Sequence, residues 1–283
     1  MTFSLFSLIG VVAVFVLMVA APTSADTIKV NAATQKWLRM WIDSIPNLQI
    51  IWMNLNICER PGIECVAATN SMNIRLDAVT SSGFNFIGTL PEVDSSIDGS
   101  QLQITGISVR GKTHFTGTLP ASWSRITRLA YLDVSKTHIG GRIPDELGSL
   151  PNLASADFSN SYFCYGLPNW RASSMPMLSQ ATFANNNMRG AFASSWSTFS
   201  ASLKLDIRGN KLCGCMPSSW ESKTNLVAAA KAMDSRTVTD CSRSCDSASL
   251  NFCPAPPSIN GAQMITMTAS VIGLMIAVAA VVF

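Results

Sequence analysis

The sequence predicts an α/β repeat solenoid with a disulfide-bonded cap at each end, and three observations predict it. The first is a near-repetition: KTHFTGTLPASW at 112–123 returns as KTHIGGRIPDEL at 136–147, 24 residues later. A fixed period in this range marks a stack of identical supersecondary units. The second is that the period continues. Pro120, Pro144 and Pro168 recur every 24 residues, Ala193 takes the next turn one residue late, and Pro217 follows 24 after that. The third is eight cysteines, all lying between two apolar ends. An even count in a chain routed for secretion points to disulfides formed in an oxidising compartment.

The route comes from the first element. Residues 1–25 contain the apolar run FSLFSLIGVVAVFVLMVAA, and Thr23 and Ala25 put small residues ahead of Asp26. That is a secretory signal peptide with a cleavage site. No Asp, Glu, Lys or Arg occurs before Asp26 or after Asp246.

Residues 26–80 read as the N-terminal cap. Trp37, Trp41 and Ile45 are four apart in TQKWLRMWIDSIPNL, one face of a helix. Cys58 and Cys65 bracket CERPGIEC and are expected to close this cap. Ile74, Leu76 and Val79 then lead to the first GTLP at 88–91. A 29-residue step separates Pro91 from Pro120, so the extra residues around EVDSSIDGS are expected to loop out.

Residues 81–220 hold the repeats. The clearest unit, 129–152, has apolar Leu129, Leu132, Val134, Ile139, Ile143, Leu147 and Leu150. This is L-x-x-L-x-L-x-x-N/T-x-L-x-G-x-I-P, the leucine-rich repeat of plant-type length. Later units keep it as Leu153, Ala156, Phe158, then Leu178, Ala181, Phe183, Asn186, then Leu205, Ile207, Asn210, Leu212. A strand alternates its side chains, so Leu132 and Val134 face inward while Tyr131, Asp133 and Ser135 face outward. Asn186 and Asn210 stand where the chain turns behind the strand, and an amide there satisfies backbone groups that burial would leave unpaired. Thr113 and Thr137 take that place in the opening units. Trp123, Trp196 and Trp220 follow the Pro or its equivalent by three residues, and Trp170 comes one residue early. A stripe at repeat spacing reads as packing.

Residues 221–253 form a Cys-rich C-terminal cap. Cys213 and Cys215 are expected to pair with Cys241 and Cys245, leaving Cys164 and Cys253 to pair with each other or not. Residues 254–260 are a short linker. Asn260, Gly261 and Ala262 are small, 263–270 are moderately polar, and 271–283 are apolar. That arrangement is a glycolipid (GPI) anchor signal over 261–283, with attachment at Asn260. A single-pass transmembrane helix over 264–283 is the alternative, although no Lys or Arg follows it.

The composition narrows the function. A net charge of +3 without a basic run gives no nucleic-acid footprint. His114 and His138 occupy the same place in adjacent units, with no recurring carboxylate or Cys beside them, so they read as a repeated surface residue and not a metal site. Cys213-Gly214-Cys215 reads as part of the cap rather than a redox motif. No Ser-His-Asp order, phosphate-cradling loop or paired carboxylate is present, so no enzyme, metal or cofactor is expected. The outward strand face is the candidate binding surface: Arg110, Tyr131, Asp133, Ser135, Asp157, Ser159, Gln180, Thr182, Lys204, Asp206 and Arg208. It is polar and lightly charged, which suits a protein or glycan partner of a monomeric solenoid. A coat protein without a specific ligand, or a transmembrane receptor-like protein, are the other readings.

The C-x-x-x-G-I-x-C cap, GTLP-x-x-W units, LCGC-x-P-x-x-W end cap and anchor-like tail together resemble the promastigote surface antigens of Leishmania and related trypanosomatids. GTLPASWSRITRLAYLDVS and LCGCMPSSWESK carry the likeness. The resemblance implies a GPI-anchored or shed cell-surface glycoprotein, with host-cell attachment through the repeats and resistance to complement. Its partners would be host cell-surface or complement proteins or glycans. Only DSASLNFCPAPPSI stands where many members carry a Thr-rich stalk.

Overall fold

A strand of three to five residues has too few apolar side chains to bury itself, so successive units pair and share one core. The computed structural model describes residues 28–80, 85–233, 245 and 253–254. The expected signal peptide, Cys241, Asn260 and the anchor signal lie outside the described residues. Among the described residues no helix is long and apolar enough to cross a membrane.

The chain opens with α1 (Ala32–Ser44) and α2 (Leu48–Trp52). The Asn31 side chain accepts from Thr34 N and caps α1. Trp37, Trp41 and Ile45 are fully buried, as their spacing predicts. Then come β1 (Ile63–Val66), β2 (Ser71–Arg75), β3 (Gly88–Thr89), β4 (Ile104–Ser108), β5 (Phe115–Thr116), β6 (Tyr131–Asp133), β7 (Gly140–Gly141), β8 (Ser155–Asp157), β9 (Tyr162–Phe163), β10 (Gln180–Thr182) and β11 (Lys204–Asp206). Helix α3 (Thr224–Met233) follows the last unit and buries Leu226, Ala229 and Ala230.

A seven-stranded sheet runs in the order β1-β2-β4-β6-β8-β10-β11, parallel from β2 onward. Its register aligns Gly106, Tyr131, Ser155, Gln180 and Lys204 in one row, and Ser108, Asp133, Asp157, Thr182 and Asp206 in the next. Outward residues one repeat apart therefore lie side by side, as a stack of equal units requires. A lateral flank carries the short pairs β3–β5 and β7–β9, extended by bridges Thr118–Gly140 and Ala191–Cys213. Single-turn 3-10 segments close the third side.

Each repeated Trp does two jobs. Trp123, Trp170, Trp196 and Trp220 are fully buried, and each Nε1–H donates to a carbonyl one unit back: Pro91, Pro144, Pro168 and Ala193. The indole thus fills the core and ties its unit to the preceding one. Behind the strands, Asn186 Nδ2 donates to Phe158 O and Phe183 O while its Oδ1 accepts from Phe163 N. Asn210 repeats this with Phe183 O, Ile207 O and Met188 N. Thr137 does part of the work by donating to Val134 O.

Two expectations change and one open choice is settled. Thr113 is exposed, because the step from Ile107 to Leu132 is one residue longer than the next step and pushes Thr113 out of the buried slot. The inserted EVDSSIDGS does not simply loop out: Val93, Ile97 and Gly99 are buried, and the Arg125 guanidinium donates to the carbonyls of Val93, Asp94 and Ile97. The leftover cysteines pair as Cys164–Cys253. Cys58–Cys65 and Cys213–Cys245 form as expected, and Cys215 is also disulfide-bonded.

Candidate functional site

The exposed face of the seven-stranded sheet is the candidate site, and the strand ends decide what it offers. Each strand must stop within a few residues to keep the period. Asp133 Oδ1 accepts from Ser135 N at 2.9 Å and from Ser135 Oγ at 2.6 Å. Asp157 Oδ1 accepts from Ser159 N, and Asp206 Oδ1 from Arg208 N. A carboxylate that captures the N–H two residues on makes an Asx turn and ends the strand. The next residue then takes left-handed φ at Lys136 (56°), Asn160 (55°) and Gly209 (68°).

This alters the predicted surface. Asp133, Ser135 and Ser159 face the outward side yet are buried, at 2%, 1% and 8% exposure. Asp133 and Ser135 bond each other within the turn and Ser159 gives its N–H to Asp157, so these side chains are largely withdrawn from a ligand. Asp157, Thr182 and Asp206 are half-buried. Arg110, Tyr131, Gln180, Lys204 and Arg208 remain exposed.

Charge on the face is largely paired internally. Tyr131 OH donates to Asp133 Oδ2 at 3.0 Å, and Arg110 approaches the same oxygen at 3.8 Å. Burial first, then the Asp133 charge, pushes the Tyr131 phenol up to about 12, so it stays a donor at any physiological pH. Arg208 folds back on Asp206 through Nε and Nη2, which holds the Asp206 carboxyl below its usual range.

Four further face residues come from the cap. Strand β2 pairs in parallel with β4, so the cap extends the sheet and adds Glu64, Asn73, Arg75 and Asp77. Arg75 binds Asp77 through two nitrogens, at 3.2 and 3.1 Å. Gly106 leaves room for Asn73, whose Oδ1 would stand 2.6 Å from a Cβ there. The alternation Met72, Asn73, Ile74, Arg75, Leu76, Asp77 was the signal in the sequence.

On the flank, the His138 ring meets Tyr162 edge-on at 5.3 Å, and its Nδ1 is buried without a hydrogen-bond partner. Burial, with a smaller contribution from His114, lowers its pKa below 6.5. The unfolded state therefore binds more protons as pH falls, and stability present above pH 6.5 declines below it. The thermal midpoint is expected to drop on acidification from neutral pH, and less so in His138→Phe; parallel melting curves in the two proteins would refute this. Among the described residues no cluster of His, Cys, Asp and Glu could hold a metal ion.

Comparison with known proteins agrees with this geometry. The Leucine Rich Repeat family model matches residues 128–150. No curated protein sequence matches the chain. Among solved structures, a plant ice-binding protein superposes with TM-score 0.54 at 18% identity, over 69% of this chain and 61% of that one. The LRR ectodomain of the receptor kinase SOBIR1 from Arabidopsis thaliana gives TM-score 0.51 at 21% identity, over 68% of this chain and 100% of that one. The ectodomain of GASSHO1/SCHENGEN3 from Arabidopsis thaliana, solved with CASPARIAN STRIP INTEGRITY FACTOR 2, gives TM-score 0.50 at 19% identity. There the match spans 62% of this chain but only 19% of that one. The chain has the disulfide-bonded leucine-rich-repeat fold of such ectodomains.

Proposed function

We propose that this chain is a non-enzymatic, extracellular recognition module that binds a protein across the exposed face of its sheet. The observation that carries the reading is the row of Tyr131, Gln180 and Lys204, exposed on strands that lie in one register. With Ser155 between them they cross four strands, roughly 15 Å at the usual strand spacing. A long, shallow array of donors with one aromatic ring suits an extended polypeptide or glycan better than an apolar small molecule. The GASSHO1/SCHENGEN3 ectodomain, of similar fold, was solved bound to a factor. The signal peptide expected over 1–25 and the anchor signal expected at Asn260 support a cell-surface location for the module. The resemblance to promastigote surface antigens makes host-cell or complement proteins the partners to try first.

The test uses exposed residues and leaves the turn carboxylates alone. Reversing Asp133 or Asp206 would open strand ends and confuse unfolding with lost binding. Soluble protein is titrated onto host cells and onto immobilised complement proteins. Saturable binding is expected, and Tyr131→Ala combined with Lys204→Glu should weaken it by more than tenfold, the effect of losing about 1.4 kcal/mol. Saturable binding unchanged by both substitutions would move the site off this face. No saturable binding to any partner would favour the coat-protein reading.

A further inference from the structure

The C-terminal segment does not leave the fold at its end. Cys213 in the last unit is bonded to Cys245, and Cys164 is bonded to Cys253. Cys253 is thereby tied two units back from the unit that holds Cys245. Cys164 lies on the lateral flank directly after β9, its N–H donating to Gly141 O at 3.0 Å.

That flank has a charge pattern of its own. Its segments, 111–120, 136–144, 160–168, 185–193 and 209–217, carry Lys112, Lys136, Arg142, Arg189 and Lys211, with no Asp or Glu. The sheet face, in contrast, mixes both signs. Lys136, Arg142 and Lys211 are exposed, and the Arg142 guanidinium stands 4.6 Å from the ring of Tyr165, the residue after Cys164.

We propose that this cationic flank faces the membrane that holds the anchor, so the solenoid lies along the bilayer against headgroup phosphates instead of standing on its C-terminal cap. The inference rests on the anchor reading above. Seven residues from Cys253 to Asn260 reach at most about 25 Å, whereas the fifteen from Cys245 would reach about 50 Å. The Cys164–Cys253 bridge therefore halves the leash and moves its root from the end of the stack to the middle of the flank. Attraction between exposed cations and headgroup phosphates fades beyond a Debye length of ~8 Å, so a short leash rooted on the basic flank is what brings it into range. The sheet face then stays open toward partners.

The experiment labels the full chain, displayed on cells, with a membrane-impermeant amine reagent and reads each lysine by mass spectrometry. Lys136 and Lys211 are expected to react several-fold more slowly in membrane-held protein than in detergent-extracted protein, while Lys29 and Lys204 react equally in both. Cys164→Ala with Cys253→Ala should abolish the difference. Arg142→Glu, which leaves the bridges intact, should reduce it. Equal labelling in both states, protection of Lys204 instead, or protection that survives extraction and so reports a bound protein, would each overturn the proposal. The anchor is tested separately: a phosphatidylinositol-specific phospholipase should release the chain. Retention with Lys211 still protected would favour the transmembrane alternative over 264–283 and leave the flank orientation standing.

Discussion

Trp196→Ala is expected to destabilise the protein by about 4 kcal/mol, the middle of the range for a buried aromatic cut to a methyl group. Trp196 is fully buried and packs within 6 Å, ring centroid to centroid, of Trp170 (5.7 Å), Phe183 (5.6 Å) and Phe199 (5.3 Å). Those three rings belong to its own unit and the unit before it, so the cavity would open at an interface between repeats. Stability in a solenoid is close to a sum of unit and nearest-neighbour contributions, so losing one interface weakens the stack locally. The indole N–H also donates to Pro168 O at 2.8 Å. Trp196→Phe keeps most of the ring and Pro168 O keeps the Trp170 backbone N–H as a donor, so a smaller loss of about 1–2 kcal/mol is expected. Urea titration supplies both values. Hydrogen exchange should locate the Trp196→Ala effect between β10 and the last unit. A loss below about 1 kcal/mol for Trp196→Ala would show that the aromatic column is not the core's main support.

Asn186→Ala is expected to cost about 3 kcal/mol, because it strands buried backbone groups and removes little apolar surface. The amide is 7% exposed and joins two units: Phe163 N and Phe158 O lie in the preceding one, Phe183 O in its own. Phe183 O keeps a second donor in Asn210, so Phe163 N and Phe158 O bear the loss. Asn186→Ser should recover part of it. Thr137 and Ser161 show that a hydroxyl serves this turn, each donating to Val134 O. If Asn186→Ser were as unstable as Asn186→Ala, the cost would arise from shape and not from hydrogen bonds.

The features legible in the sequence are those that the period imposes at short range. The apolar positions, the Trp stripe and the Asn turn repeat because every unit solves the same packing problem, so one well-kept unit at 129–152 reveals the rest. The strand rows followed from the same spacing and place Tyr131, Gln180 and Lys204 together. Alternation alone, however, could not tell an outward carboxylate from an available one. Asp133 points to the sheet's outer side, but its oxygens are taken by Ser135, Tyr131 and Arg110. Whether a polar side chain binds its own turn depends on backbone angles that residue type does not report.

By itself the sequence determined the repeat, its strand register, its caps and the two short-range expectations for sulfur pairing that the structure contains. Period and local spacing are enough for these, since each unit meets only its neighbours. The tertiary structure alone decided three things: that the cap's β2 extends the sheet and enlarges the face, that the turn carboxylates leave a face of exposed cations, amide and phenol, and that Cys253 returns to Cys164. Each depends on which distant segments become neighbours once the stack has formed, and in the last case the partners are separated by 89 residues.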